Sequence, residues 1–269
     1  MHNKSDRYPL ALGSFFVVVL VALISLLTFG RAALAQGGAG LPGEPIPPRL
    51  AEVEGDANWT IGELTYQAEF PEGITFGIEA ESDAGAIVSA RVVWVHAPGS
   101  GFQRSRGARL DGESGRWVAT WEPVGGDVPP WVLVRYRWEL TDDQGNRYVT
   151  EEHDEIYPDG DNADHWRHLE SEDAVVYWFD LPDEYAQLVI EAMAARREFY
   201  RLAWGGSLPF RPRIILYGPD ALAQYELALG GPAVVGGGIV AGTTSEDWGG
   251  TVQYTLPRYT PQLLAYGLV

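Results

Sequence analysis

His165 and His168 stand three residues apart, with Trp166 and Arg167 between them and Asp159, Asp161, Asn162 and Asp164 just upstream. Imidazoles and carboxylates so close together can hold a divalent metal if a helix turns the two histidines onto one face. Their setting is the polar run PDGDNADHWRHLESED, which reads as a domain boundary, so both histidines are expected on the surface rather than on zinc. The same four Asp and Asn side chains offer hard oxygen ligands for calcium. The glycine and the distal bidentate glutamate of an EF-hand are out of place, which favours a solvated acidic linker. Glu151, Glu152, Asp154 and Glu155 surround His153. Glycoside hydrolysis needs two carboxylates facing across a cleft, and adjacency in sequence does not supply that. They read as the exposed face of an edge strand.

Gly236, Gly237 and Gly238 lack the lysine of a P-loop and the spacing of a dinucleotide fingerprint, and read as a tight hairpin at a Gly-rich sheet edge. The 10 tryptophans raise the possibility of sugar stacking. Trp94, Trp117, Trp121 and Trp138, however, alternate with other apolar residues and belong in a core, leaving Trp248 in SEDWGG as the best candidate for an exposed ring. The other histidines, His2, His96 and His153, stand alone. No histidine is followed by Glu and a second His at the spacing of a zinc-peptidase helix. The sequence therefore assigns no catalytic, cofactor-binding or metal-ligating residue.

The elements that would position any site fall into segments. Lys4 and Arg7, the apolar run from Phe15 to Phe29, and Ala33-Leu34-Ala35 make residues 1–35 a signal peptide, with Gln36 as the new N-terminus. The apolar run is shorter than the ~20 residues a bilayer span needs. A secreted or extracytoplasmic protein is expected, with no stable membrane insertion after cleavage and a cell-surface tether if the signal is retained. Residues 36–55, opening with QGGAGLPGEPIPPRL, read as a disordered Gly/Pro tether. With no cysteine, neither a disulfide nor a lipid-bearing thiol is available. The whole chain carries a net charge of -18; residues 1–35 contribute Lys4, Arg7 and Arg31 against Asp6, so the mature part carries about -20. That surface repels nucleic acid and is read as serving solubility.

Residues 56–158 alternate with period two. Ile74, Phe76, Ile78 and Ala80 form one such set, Val88, Ala90, Val92 and Trp94 another, and Trp117, Ala119 and Trp121 a third. The clearest is Val132, Val134, Tyr136, Trp138 and Leu140, which ends in the turn sequence TDDQGN and returns as RYVT. Short strands, Gly/Pro turns and no helical stretch predict an all-β sandwich of immunoglobulin-like type. After an acidic linker over 159–168, strands and helices alternate from 169 to 269. AVVYWFD is a strand; one helix opens at Pro182 and buries Tyr185, Leu188, Val189, Ala192, Ala195, Phe199 and Leu202 before ending at Gly205-Gly206. RIILY is a strand, Asp220 to Leu229 a helix, and AVVGGGIVAG leads through SEDWGG to the strand TVQYTL. Thr260 caps a helix, Pro261-QLLAYGLV, with no stop signal before Val269.

In the order of its pieces (YRWELTDDQGNRYVT, HWRHLESEDAVVYWFD, EFYRLAWGG, RPRIILYGPDALAQY, GGPAVVGGGIVAG) the chain resembles exported bacterial proteins with a peptidase MA-like domain, zinc metallopeptidases of the gluzincin type. The resemblance implies an incomplete α+β gluzincin-like domain after the sandwich. It implies an N-terminal portion of a peptidase, zinc only in a full-length protein, and a peptide or protein substrate. In that family His-Glu-x-x-His lies on the helix that YTPQLLAYGLV would begin, so metal ligands and general base would fall beyond Val269. The Gly-rich edge strand would pair with an extended peptide. The alternative is a non-enzymatic extracytoplasmic module that binds protein or glycan.

Overall fold

The structure, a computed structural model, describes residues 46–99, 101–123, 128–204, 210–229, 240–245, 247 and 249–255. The signal peptide, the first part of the tether, Gly236 to Gly238, Trp248 and the helix from Thr260 lie outside the described residues. Among those described, no helix is long and apolar enough to cross a membrane.

The described residues are mostly β, arranged in three sheets. Two of them face each other. The first joins β1 (Glu52–Glu54), β9 (Arg147–Val149), β8 (Leu133–Asp142), β4 (Ile87–Val95) and β5 (Arg104–Gly107) in that order, with β10 (His153–Ile156) also on β8. The second runs β2 (Trp59–Glu69), β3 (Gly73–Ser82), β7 (Trp117–Trp121) and β6 (Arg109–Leu110). Alternation explains the interior. Phe76 from β3 lies 5.5 Å from the Trp94 ring of β4 and 5.2 Å from Tyr136 of β8, so the inward rows of the two sheets interdigitate. Trp94 and Trp138 are buried, and Trp117 and Trp121 pack half-buried against the same core. Each such aromatic or aliphatic side chain contributes about 1.5–3 kcal/mol by leaving water. Val88, expected inward, is exposed, because the β4–β8 register shifts between Ile87 and Ser89 and turns it outward. The TDDQGN turn is held by Asp142, whose carboxylate accepts from the backbone N–H of Gln144 and Asn146.

The third sheet is mixed: β11 (Trp166–Glu170), β12 (Val175–Phe179), β13 (Arg213–Tyr217), β15 (Gly250–Thr255) and β14 (Val240–Ser245), in that order. Its middle strands are parallel, and β11 and β14 are antiparallel edges. Helix α1 (Asp183–Ala195) covers one face through Tyr185, Val189 and Met193 against Val176, Trp178, Ile214 and Leu216. Helix α3 (Leu222–Ala228) places Tyr225 and Ala228 in the core shared with Ile215, Tyr217, Val252 and Tyr254. Burial on both faces is why VVYWF and RIILY read as unbroken apolar runs.

Four expectations are corrected. Residues 46–54, read as tether, run beside the first sheet: β1 pairs with β9, and Arg135 donates to the Ile46 carbonyl. The linker over 159–168 is not wholly solvated, since Asp159 is fully buried and β11 starts at Trp166. The single helix from Pro182 to Gly205 is two helices, α1 and α2 (Arg197–Trp204), broken at Arg196. Arg197 there forms a two-pronged ion pair with Asp173 of the β11–β12 loop, and past the break Phe199 and Leu202 are exposed. Finally, the α1 face that is buried runs through Tyr185, Ala186, Val189 and Met193, leaving Leu188 and Ala192 only half-buried and Ala195 exposed.

The sandwich and the mixed sheet share one continuous core, which runs from Phe70 and Trp94 through Tyr157 and Trp166 to Tyr217 and Val252.

Candidate functional site

Among the described residues β14 is the outermost strand of the mixed sheet on the side away from β11. It follows Val240-Ala241-Gly242-Thr243-Thr244-Ser245 and pairs on its inner side with β15, Gly242 facing Gln253 and Ser245 facing Gly250. Gly242 is required by crowding, since a Cβ there would lie 2.6 Å from the Val252 carbonyl oxygen. Thr244 and Thr251 share a hydroxyl hydrogen bond of 2.9 Å that pins the hairpin near its turn. The outer backbone groups of such an edge can add one further strand.

The turn after β14 is anchored to the sandwich. Arg104 at the start of β5 donates from Nη2 to Asp247 Oδ2, and its guanidinium lies 5.6 Å from the centroid of the Trp121 ring. On Trp121 also rests His96, immediately after β4, with ring centroids 5.5 Å apart. Gly249 fits closely here, for a Cβ on it would come 2.8 Å from that of Ala97. His96 is 1% exposed, and neither ring nitrogen makes a well-formed hydrogen bond. Burial, and next the charge of Arg104, push its imidazole down to about 4, against smaller opposing effects of Asp247 and the Leu133 backbone. Asp247 Oδ1 is buried and has no hydrogen-bond partner either. Nothing in the sequence marked these residues as a set. A lone histidine after an apolar strand, WVHA, was the only trace.

A second special place lies at the carboxyl ends of the parallel strands, where open α/β sheets bind ligands. Asp180, directly after β12, holds φ at 53°, uncommon for a residue with a side chain. Gly218, directly after β13, sits so close that a Cβ would lie 2.1 Å from the Asp180 carbonyl oxygen. His165 Nδ1 stands 3.7 Å from Asp180 Oδ1, and its ring stacks on Phe179.

The residues weighed from sequence are dispersed. His165 ends a short 3-10 helix, whereas His168 in β11 stacks on Tyr177. Asp159 is already engaged, accepting from Trp166 Nε1 and Asn162 Nδ2, both at 2.8 Å. Asp161 and Asp164 remain exposed. Glu152 accepts from Arg137 and the Arg49 backbone, and Asp154 takes a two-pronged pair from Arg135. Among the described residues no group of three or more His, Asp or Glu side chains could hold a metal ion.

No family model matches the chain, and no characterised protein matches it in sequence. Among solved structures, a polysaccharide deacetylase from Bacillus cereus is similar at 10% identity and a TM-score of 0.29, over 62% of this chain and 54% of that one. The match thus spans about half of that protein's length. A score so low carries no argument about activity.

Proposed function

We propose that the described residues form the peptide-holding part of an exported zinc metallopeptidase of the gluzincin type, behind an immunoglobulin-like sandwich. The observation that carries this reading is the position of β14, among the described residues an antiparallel edge strand of the mixed sheet, at the end of the Gly-rich segment that the sequence resemblance singles out. An extended peptide laid along β14 would gain main-chain hydrogen bonds of about 0.5–1.5 kcal/mol each, with alternate side chains pointing to opposite faces. The order of the strand and helix segments from β8 to β15 supports the same reading, as do the two facing sheets for the immunoglobulin-like part.

The described residues do not fit a zinc site, and no hydrolytic step is assigned to them. Their part is to bind and orient. The non-enzymatic alternative, a protein- or glycan-binding module, separates from this one in the reading frame past Val269. An in-frame His-Glu-x-x-His within the first helical turns supports the peptidase, and a stop codon in its place refutes it.

A further inference from the structure

We propose that His96, Arg104 and Asp247 form a proton-operated lock between the sandwich and the β14–β15 hairpin, closed while His96 is neutral and opened when it takes a proton. All three residues lie within this chain, so the lock operates whatever the edge strand binds.

The lock has three parts from three places in the sequence. The hairpin turn is held to β5 by the Arg104–Asp247 ion pair, both partners of which are about a quarter exposed, at 28% and 25%. His96 lies beneath that contact, almost without access to water. The described elements around it bear on its charge. β5 presents Arg104, a like charge to imidazolium, and the hairpin turn presents Asp247, an opposite one. β7 presents the neutral Trp121, and the chain entering β8 presents only the backbone of Leu133. Among the described residues the carboxylate that acts on His96 is that of Asp247, which is already committed to Arg104. A second cation below it would be buried, poorly hydrogen-bonded and beside a guanidinium, the arrangement that most disfavours charge.

The way to solvate that proton is to part the hairpin from the sandwich. In the open form the imidazole regains its ordinary value of 6.5, and in the closed form burial and Arg104 hold it at about 4. The sign follows: a base whose closed-state value is depressed keeps the lock shut above its ordinary value and loosens it as pH falls towards the depressed one. Between about pH 7.5 and pH 5 the closed-to-open ratio falls roughly thirtyfold. Parting the turn frees the inner contacts of β14 and thus alters the edge it offers.

Hydrogen exchange of the whole chain, corrected for intrinsic rates, reads this directly. Peptides covering 240–250 are expected to lose protection roughly thirtyfold between about pH 7.5 and pH 5, while β12, away from the hairpin, does not change. His96→Gln, which keeps a neutral polar side chain, is expected to abolish the difference. Equal protection of the hairpin at both pH values overturns the proposal, and so does an undiminished acid response in His96→Gln. Should that variant fail to fold, an NMR titration of the histidines in the unaltered chain decides: an imidazole that stays neutral to about 4 supports the lock, and one that titrates near 6.5 with the hairpin still protected overturns it.

Discussion

The indole of Trp131 lies flat on the ring of Tyr177, with centroids 5.1 Å apart and planes 9° from parallel. The contact joins the loop before β8 to β12 of the mixed sheet, and Arg213 completes it by donating to the Trp131 carbonyl and to the Tyr177 hydroxyl. To reach that position Trp131 adopts a φ of 66°, a strained conformation for so large a residue. Ring burial and backbone strain therefore oppose each other at one position. Trp131→Ala is expected to cost about 2–4 kcal/mol of unfolding free energy. Trp131→Gly is expected to cost about 1 kcal/mol less than Trp131→Ala, because glycine tolerates the left-handed backbone. Urea titration of both variants checks the order, and a glycine variant less stable than the alanine one would exclude strain.

Gly218 and Asp180 approach through their backbones, not through flexible side chains. A methyl group at 218 has no room, and relief requires β12 and β13 to part where Phe179 and Tyr217 pack. Gly218→Ala is expected to destabilise by about 1–3 kcal/mol, measured by thermal unfolding. Gly101, whose added Cβ would meet nothing within 4 Å, is a poor control because its φ is 81°; Gly112→Ala, with open space and no such restriction, is expected to be near neutral.

Asp159, in the acidic segment before β11 that offers oxygen ligands for calcium, is already committed within the chain. Its two carboxylate oxygens are taken by Asn162 and by the indole N–H of Trp166. Asp159→Ala leaves that N–H without an acceptor and is expected to cost about 1–3 kcal/mol. Added calcium, or EDTA, is expected to leave the melting temperature of the unaltered chain unchanged; a rise with calcium would show that the loop binds it.

On the outer face of the first sheet, Glu139 accepts hydrogen bonds from Arg91, Arg137 and Arg147. Burial alone would raise its carboxyl, but those guanidinium groups prevail and hold it below the ordinary value of 4.5. For an acid whose folded value is depressed, the stability it contributes is full above the ordinary value and is lost as pH falls through the lowered one. Glu139→Gln is therefore expected to cost about 1–3 kcal/mol near neutral pH, discounted for the partly exposed Arg91 and Arg147. The difference from the unaltered chain should shrink at acid pH, as the pH falls below the ordinary carboxyl value and through the lowered one. Chemical denaturation at both pH values measures it.

Much of this fold is legible in local pattern. Val134, Tyr136, Trp138 and Leu140 alternate because one face of β8 is core, and VVYWF is continuous because both faces of β12 are covered. What escapes the pattern depends on partners distant in sequence. The break at Arg196 goes with the grip of Asp173 on Arg197, and the ordering of Ile46 to Glu54 with Arg135 and β9. The cluster of His96, Arg104 and Asp247 spans a gap of 143 residues between the two partners of its ion pair, and a lone charged residue in sequence gives no hint of its counterpart. The apolar period from Tyr185 to Leu202 fits one helix on paper, yet Phe199 and Leu202 are exposed once the chain turns.

The measurement closest to the functional claim is the zinc-to-protein ratio of the product of the complete reading frame, purified without added metal and determined by elemental mass spectrometry. One zinc per chain, removed by a chelator together with peptide hydrolysis, is the predicted result. A metal-free product with no His-Glu-x-x-His helix would contradict the account and leave β14 as the edge of a binding module.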